Sequence, residues 1–405
     1  MSDFIQTGVI TTLHNLRTRS LDSLESELES FARKRKMALI LPSLYSELEG
    51  PALSHIVSEL RHARYIDQII VGLDRADAEQ FEKARHFFDS LPQKLKILWH
   101  DGPRLSAVDA RLEKEGLAPM QAGKGRNVWY CFGYLLAQGQ SDVIALHDCD
   151  ILTYSREMPA RLFYPLVNPK FDFSFSKGFY SRINGDKFSG RVTRLFVMPL
   201  IRSLKKILGP MDYLDYLDSF RYPLSGEFAF RTDVMNTIRI PGDWGLEIGV
   251  LSEAYRNINQ RHICQVDIAD NYDHKHQDLS PEDLNAGLSR MSVEIAKSIY
   301  RKLATEGVQL STEFFRTLKA TYLRTALDML EQYQCDATIN GLSIDCHQEE
   351  ETIEVYLQGI IAAGESFLAN PMEVPFIPNW RRIFSAVPEI GEQFLEAVEK
   401  DNNGH

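Results

Sequence analysis

The chain has 405 residues, of which 44% are hydrophobic and 25% are charged, and this composition excludes a disordered or collagen-like protein. The length is too great for one average domain and favours two. The formal net charge of −11 argues against nucleic-acid binding, because proteins that bind a duplex usually carry a basic domain.

The cysteines and the N-terminal segment indicate the compartment. The five cysteines are scattered and form no Cys-x-x-Cys pair, which argues against a disulfide framework or a zinc ribbon and favours a reducing compartment. The N-terminal segment lacks a charged start followed by an apolar run, so no signal peptide is expected. No apolar run approaches the ~18 residues that a membrane span requires. We therefore expect a cytoplasmic protein without a membrane partner.

In chain order, LDSLESELESFARKRK carries leucines at helical spacing and predicts a helical N-terminal extension. Four apolar runs then predict buried strands, with the first run stopped by Pro42: MALILPSLYSE, IDQIIVGLDRAD, KLKILWHD and DVIALHDCDI. The segments between these runs have helical patterns. Such alternation is typical of βαβ units in a mostly parallel sheet flanked by helices, which is an α/β fold.

After residue 151 the alternation weakens. FDFSFSKGFYSR, PLSGEFAFR and HICQVDIAD predict three further strands, and DWGLEIGVLSEAYRNI predicts a helix before the last of them. From about Ser280 the sequence is almost purely helical. The predicted division is an extension over 1–36, an α/β domain over 37–280 with halves 37–151 and 152–280, and a helical C-terminal domain over 281–405.

The predicted sheet locates a site, because ligands of open parallel sheets bind at the carboxyl ends of the strands. Pro42, Asp74 and the pair Asp148 and Asp150 lie at such ends and are expected to converge. Two carboxylates that flank one residue are hard oxygen ligands, which suit Mg²⁺ or Mn²⁺ bound to phosphate. The alternative is that loops after strands are simply polar, although helix capping explains only one of the two aspartates.

Two further segments have the chemistry of anion sites. GKG, residues 123–125, precedes a predicted helix whose N-terminus, with Lys124, favours a phosphate, but such a triplet is more often a turn. Residues 181–206 form a basic island, which is either a solvated face or an anion-binding loop. The three residues that would form this loop are Gly190, Arg191 and Thr193.

Two histidines and one glutamate have open interpretations. His274 and His276 are two residues apart after a predicted strand, so they can face one metal or be ordinary surface histidines. Glu247 lies among apolar residues at a predicted helix start, where it needs a partner or a ligand, although the helix dipole also explains it.

Together, these segments resemble the GT-A nucleotide-sugar glycosyltransferases, and more narrowly the glucosyl-3-phosphoglycerate synthase family, between Met37 and Met291. LPSLYSE resembles the family's nucleotide-binding strand end, GKG is intact, and HDCDI stands in the place of the DxD metal motif. SGRVT, PLSGEFAF and GLEIG resemble the acceptor-phosphate loop, the PLxGE strand and the GVEIG segment. Tyr45-Ser46-Glu47 replaces the usual Asn-Glu-Glu, and His276 replaces an acceptor-side Asn.

The resemblance implies a retaining glycosyltransferase that uses Mg²⁺ or Mn²⁺ to move glucose from UDP-glucose to 3-phosphoglycerate. It implies that Asp150 and His274 bind the metal, and that Asp150 and Glu247 are catalytic residues. The implied donor-binding residues are Pro42, Ser43, Leu44, Glu47, Asp74, Lys124, Asp148 and Glu247. The implied acceptor-binding residues are Gly190, Arg191, Thr193 and His276.

Several alternatives stay open at this point. A related synthase could use another nucleotide sugar or acceptor, such as GDP-mannose and glycerate in a mannosylglycerate synthase. A nucleotidyltransferase would require a Gly-rich loop at the first strand, which the sequence lacks, and an inactive binding module would not need the intact polar residues. The sequence offers no convincing carboxylate nucleophile. We therefore favour attack by the acceptor on the same face of the sugar from which the diphosphate leaves, assisted by that diphosphate, over a covalent glycosyl-enzyme. We also expect a homodimer.

Overall fold

The structure of the protein, a computed structural model, describes residues 6, 8–119, 123–242, 245–274, 287–372 and 377–403. In this part of the chain, eight strands form one mixed sheet and two short strands form a hairpin. The strands are β1 (Thr11–Leu13), β2 (Met37–Leu44), β3 (Gln68–Asp74), β4 (Lys94–Trp99), β5 (Val143–Leu146), β6 (Phe175–Tyr180), β7 (Ile183–Asn184), β8 (Lys187–Phe188), β9 (Phe228–Arg231) and β10 (Ile263–Ala269).

The strand order in the large sheet is β1-β10-β6-β9-β5-β2-β3-β4. Neighbouring strands are parallel except around β9, which is antiparallel to both β5 and β6. The central strands are buried on both faces, which explains why they are continuous apolar runs in the sequence. The predicted α/β fold with a mostly parallel sheet flanked by helices is confirmed.

Helices cover the sheet and make up most of the C-terminal third of the described chain. They are α1 (Leu21–Ala32), α2 (Pro51–Leu60), α3 (Ala78–Phe88), α4 (Pro103–Lys114), α5 (Lys124–Gln138), α6 (Glu157–Val167), α7 (Met198–Leu208), α8 (Asp212–Asp218), α9 (Thr232–Met235), α10 (Leu246–Asn257), α11 (Gly287–Thr305), α12 (Thr312–Ile339), α13 (Cys346–Ala369), α14 (Trp380–Ala386) and α15 (Ile390–Asn403). Short 3₁₀ turns span Tyr45–Glu49 and Gln260–His262, and a π-helix spans Val192–Val197. Within the described ranges no helix is both long and apolar enough to cross a membrane.

Two local features differ from the sequence analysis. The predicted helical extension contains α1 but also β1, which pairs in parallel with β10 at the sheet edge; its three residues are too few to give a periodic pattern. Strand β2 does not stop at Pro42 but continues to Leu44. The backbone of Ile40 faces β5, since its oxygen accepts a hydrogen bond from His147 N at 3.1 Å, and Pro42 faces the same side. Because β5 ends at Leu146, the missing N–H of Pro42 leaves no ladder bond unmade.

The C-terminal helices share their core with the sheet. One hydrophobic cluster contains Ile40 of β2 and Tyr130 of α5 together with Tyr300 of α11 and Phe394 of α15. Helix α15 also covers the edge strand β4, because the side chain of Asn402 bonds both the N–H and the carbonyl of Ile97, at 2.9 and 2.8 Å. The division into domains near residue 280 stays a prediction, and these contacts join the two regions.

Candidate active site

The two aspartates of the predicted metal motif follow β5 directly, at the carboxyl end of the sheet. Asp148 lies against Gly226, where an added Cβ would come within 2.3 Å of Asp148 Oδ2, so only glycine fits beside this carboxylate. Asp148 Oδ1 accepts a hydrogen bond from Lys124 Nζ at 2.6 Å. Burial raises the pKa of Asp148, but the charge and the hydrogen bond of Lys124, together with the nearby His274 and His147, lower it by more, and the net shift is downward.

Lys124 connects Asp148 to Glu247, another predicted carboxylate of the site. It is the first residue of α5, as the GKG segment predicted, and its Nζ lies 3.0 Å from Glu247 Oε1 at the start of α10. Burial lowers the pKa of Lys124, but Asp148 and Glu247 raise it by more, so the ammonium group stays charged. The structure therefore brings together three predicted residues, of which Lys124 and Glu247 are 123 positions apart in the sequence.

Asp150 and His274 form the predicted metal-binding pair. His274 Nδ1 lies 3.9 Å from Asp150 Oδ2, and an antiparallel bridge between Ile151 and His274 aligns the two segments. The backbone N–H of Leu152 also donates to the oxygen of Asp273 at 2.8 Å. Short pairing with the chain just after the aspartates thus places the histidine beside them.

The electrostatics of this pair fit a divalent cation. Burial raises the pKa of Asp150, and the nearby charge of Asp148 raises it further, to about 7. A second cation besides Lys124 would relieve this repulsion, and a carboxylate with an imidazole suits Mg²⁺ or Mn²⁺. Over the described residues, no group of three or more His, Cys, Asp or Glu side chains is arranged to hold a metal, and the assignment of Asp150 and His274 as ligands stays a prediction.

The other predicted donor residues line the ends of β2 and β3. Asp74 accepts a hydrogen bond from Asn127 Nδ2 of α5 at 2.9 Å, which fixes its carboxylate. Ser43 is buried and donates to the Leu44 oxygen at 3.0 Å, whereas Leu44 is exposed at the rim. Glu47 lies in the following 3₁₀ turn, near enough to raise the pKa of Asp150. These residues, with Pro42 in β2, surround one edge of the sheet.

The predicted acceptor loop follows the β7–β8 hairpin. Gly190 has φ +80°, a left-handed conformation that favours glycine, and the π-helix of residues 192–197 begins just after it. The side chain of Arg191 is 37% exposed and donates to Gln348 Oε1 at 3.1 Å. Thr193 Oγ1 is buried and has no hydrogen-bond partner among the described residues.

A tyrosine-arginine contact joins this loop to the metal side. The Arg182 guanidinium lies over the ring of Tyr272 at 5.3 Å and donates to Tyr222 Oη at 3.1 Å, and the Arg182 side chain packs beside Gly190. Tyr272 is two residues before His274. Arg182 and Tyr272 therefore link the acceptor loop to the segment that carries His274.

The rest of the basic island is structural. Lys205 lies 2.8 and 2.7 Å from Asp215 and Asp218, and Arg202 lies 3.5 Å from Asp218. Lys206 donates to Thr325 on α12 at 2.9 Å. The basic residues of α7 are therefore engaged by neighbouring helices. The anion-binding interpretation remains a prediction for the part of the segment before α7.

Sequence reasoning missed the buried polar residues beneath the aspartates. Glu227 is fully buried; it accepts hydrogen bonds from Tyr272 Oη and Ser225 Oγ, each at 3.0 Å, and burial raises its pKa. Lys177 of β6 is also fully buried, donates to the Ser225 carbonyl, and has its pKa lowered by burial to about 8. A lysine inside an apolar strand was the available signal. The predicted acceptor residue His276 lies outside the described residues.

Two solved structures share the architecture of this chain. A glucosyl-3-phosphoglycerate synthase from Mycobacterium tuberculosis, in complex with Mn²⁺, UDP-glucose and phosphoglyceric acid, superposes with a TM-score of 0.53 at 21% identity, over 73% of this chain and 88% of that one. A mannosyl-3-phosphoglycerate synthase from Rubrobacter xylanophilus gives 0.54 at 20% identity, over 74% and 83%. No family model matches the sequence. These likenesses show the fold, which is of the GT-A type.

Full-length relatives narrow the class to a family. The chain is 49% identical over 403 residues to the glucosyl-3-phosphoglycerate synthase of Persephonella marina, with 100% of both chains covered. It is 37% identical to that of Methanococcoides burtonii, with 98% of both covered. The chain therefore belongs to the glucosyl-3-phosphoglycerate synthase family and is a glycosyltransferase, as the sequence motifs predicted.

Proposed function

We propose that the protein transfers glucose from UDP-glucose to 3-phosphoglycerate, with Mg²⁺ or Mn²⁺ and with retention of anomeric configuration. The observation that carries this proposal is that two sets of polar residues, one at the carboxyl end of the sheet and one in the loop after the β7–β8 hairpin, are linked through Arg182 and Tyr272. Lys124, Asp150 and His274 form the first set, and Arg191 with Thr193 forms the second. The full-length relatives of the same family support the choice of substrates.

The donor would bind at the first set. Asp150 and His274 would hold the metal, which when bound supplies Lewis-acid neutralisation of the leaving diphosphate. The charged ammonium of Lys124 would bind the diphosphate end of the donor. Glu247, whose side chain is 14% exposed and oriented by Lys124, would accept hydrogen bonds from the hydroxyls of the sugar.

The acceptor would bind at the second set. The guanidinium of Arg191 is partly exposed and can form two parallel hydrogen bonds with a phosphate. The unpartnered hydroxyl of Thr193 would donate to a third oxygen. An acidic protein that binds two anions has to concentrate positive charge locally, and these residues do so.

Retention is proposed to follow from attack on the face that the diphosphate leaves. Asp148 and Glu247 are paired with Lys124, Asp150 faces His274, and Glu227 is buried beneath them, so among these four carboxylates none is free to attack the sugar. The acceptor hydroxyl would form its bond to the anomeric carbon as the bond to UDP breaks, and a diphosphate oxygen would take the hydroxyl proton. A covalent glycosyl-enzyme detected by mass spectrometry would refute this step.

A matrix of donors and acceptors tests the proposal. UDP-glucose, GDP-glucose and GDP-mannose are each combined with 3-phosphoglycerate and glycerate, with metal and with EDTA, and proton NMR gives the anomeric configuration of the product. We expect the best rate with UDP-glucose and 3-phosphoglycerate, an α-linked product and no turnover in EDTA. A preference for GDP-mannose with glycerate would instead identify a mannosylglycerate synthase.

The oligomeric state and the compartment stay predictions. We propose a homodimer, which sedimentation velocity would test against a monomer of 405 residues.

A further inference from the structure

The helical C-terminal region contacts the acceptor loop directly, although it contains no recognised motif. The connection between α12 and α13 pairs with the β7–β8 hairpin that precedes the loop. Ser343 N donates to the Asp186 oxygen at 2.7 Å, and Phe188 N donates to the Ser343 oxygen at 3.4 Å. A parallel bridge joins Lys187 to Ser343. The hairpin is thus attached to the start of α13.

A buried ion pair makes the second attachment. Both guanidinium Nη atoms of Arg194 donate to the carboxylate of Glu349 in the first turn of α13, each at 2.8 Å. The side chains are only 7% and 5% exposed. Arg194 also donates to the carbonyls of Ser189 and Phe188, at 2.8 and 3.1 Å, and lies over the Phe188 ring. Arg194 is therefore fully engaged in fixing the backbone on the N-terminal side of Gly190.

The same turn of α13 also contacts the arginine that faces the acceptor. Arg191 Nε lies 3.7 Å from Glu349 Oε1, and Arg191 Nη2 donates to Gln348 Oε1 at 3.1 Å. Asp345 caps this turn by accepting from Gln348 N at 3.1 Å. One carboxylate and one amide thus orient a long, flexible side chain, which lowers the ordering cost of ligand binding.

We propose that Glu349, assisted by Gln348, is a positioning residue for the acceptor phosphate. Glu349 neutralises Arg194 and holds it in the structure, which leaves Arg191 as the guanidinium available to the ligand. It also holds Arg191 at the rim of the site with a long contact that a phosphate can displace. This role rests on the proposed function. It gives the helical region that follows the sheet a part in acceptor binding.

The test compares Glu349→Gln with Glu350→Gln, an exposed neighbour on the same helix turn. Acceptor is titrated at saturating UDP-glucose and metal, and donor is titrated at saturating 3-phosphoglycerate. For Glu349→Gln we expect an increase of about tenfold or more in the acceptor KM, because two charge-assisted bonds are weakened, with the donor KM within about twofold. Glu349→Asp should recover part of the loss, and Glu350→Gln should match the parent.

A second variant protects the test against misfolding. Gln348→Ala removes an exposed side chain and is expected to raise the acceptor KM about threefold, the low end of the net contribution of one hydrogen bond. An unchanged acceptor KM in this variant and in Glu349→Gln would overturn the proposal. Should Glu349→Gln not fold, the Gln348→Ala result alone decides.

Two other outcomes have distinct meanings. A lower kcat together with equal increases in the donor KM and the acceptor KM would show a purely structural role for Glu349 and overturn the proposal. A parent enzyme that fails to use 3-phosphoglycerate would refute the proposed function itself, whereas a parent that uses it while the variants titrate like the parent would refute only the role of Glu349.

Discussion

Replacement of Arg191 by alanine separates acceptor binding from stability. The Arg191 side chain is 37% exposed, and after its removal Glu349 keeps two bonds of 2.8 Å to Arg194, so no buried carboxylate is left unpaired. We therefore expect the free energy of unfolding to change by less than about 0.5 kcal/mol. A bidentate contact from a guanidinium to a phosphate contributes about 1.5–3 kcal/mol, which corresponds to a loss of roughly tenfold to hundredfold in acceptor kcat/KM.

The assay is acceptor titration at saturating UDP-glucose and metal, with 3-phosphoglycerate and glycerate in parallel. Arg191→Lys should recover only part of the loss, because an ammonium keeps the charge but not the planar fork. Arg202→Ala is the matched control, since Arg202 lies in the same basic segment, is 46% exposed and faces Asp218 instead of the site. Glycerate should be a poor acceptor and nearly insensitive to Arg191→Ala.

Two results would refute this reasoning. If the parent enzyme used glycerate with the same kcat/KM as 3-phosphoglycerate, a phosphate-binding arginine would not be needed. An equal loss with both acceptors in Arg191→Ala would show that the arginine acts through the structure of the loop and not through the phosphate.

Three further predictions concern the donor side. Asp150→Asn should abolish transfer, and Mn²⁺ with UDP should no longer raise its melting temperature; turnover at the parent rate with saturating metal would exclude Asp150 as a ligand. Lys124→Ala should raise the donor KM and leave the acceptor KM unchanged, because Lys124 contacts Asp148 and Glu247 on that side; steady-state titration of both substrates checks this, and an effect confined to the acceptor would contradict it. Gly226→Ala should displace Asp148, because the new methyl group would lie 2.3 Å from its oxygen. We expect a loss of about 1–3 kcal/mol in the free energy of unfolding and of most of the activity. Thermal melting and transfer assays check this, and parent-like values in both would contradict it.

The sheet and the position of the site could be predicted from the sequence because both depend on local patterns. Buried parallel strands are continuous apolar runs, and polar residues that follow them meet at one edge of the sheet. Asp148 and Asp150 follow β5 as expected, and Lys124 begins α5 as the GKG segment indicated. The predicted end of β2 at Pro42 is wrong, because the neighbouring strand β5 ends before the position where the proline would interrupt the ladder.

The buried partners of the site could not be predicted, because they depend on contacts distant in sequence. Arg194 and Glu349 are 155 positions apart, and nothing in the local pattern of either residue indicates the other. Glu227 belongs to a recognised motif, yet its burial beneath Asp148 follows only from the antiparallel strand β9 lying between β5 and β6. Lys177 gave a local signal as a charge inside an apolar strand, but not the identity of its partner.

In a chain whose net charge is −11, the cations of the site are each held by carboxylates. Lys124 lies between Asp148 and Glu247, and Arg191 and Arg194 share Glu349. These carboxylates orient each cation in the absence of substrate, which lowers the reorganisation required when an anion binds. The contacts differ in a way that matches their proposed roles: the 2.8 Å pair of Arg194 is closed to solvent, whereas Arg191 meets Glu349 only at 3.7 Å and stays partly exposed. A phosphate can therefore recruit Arg191 without breaking the ion pair that holds the loop in place.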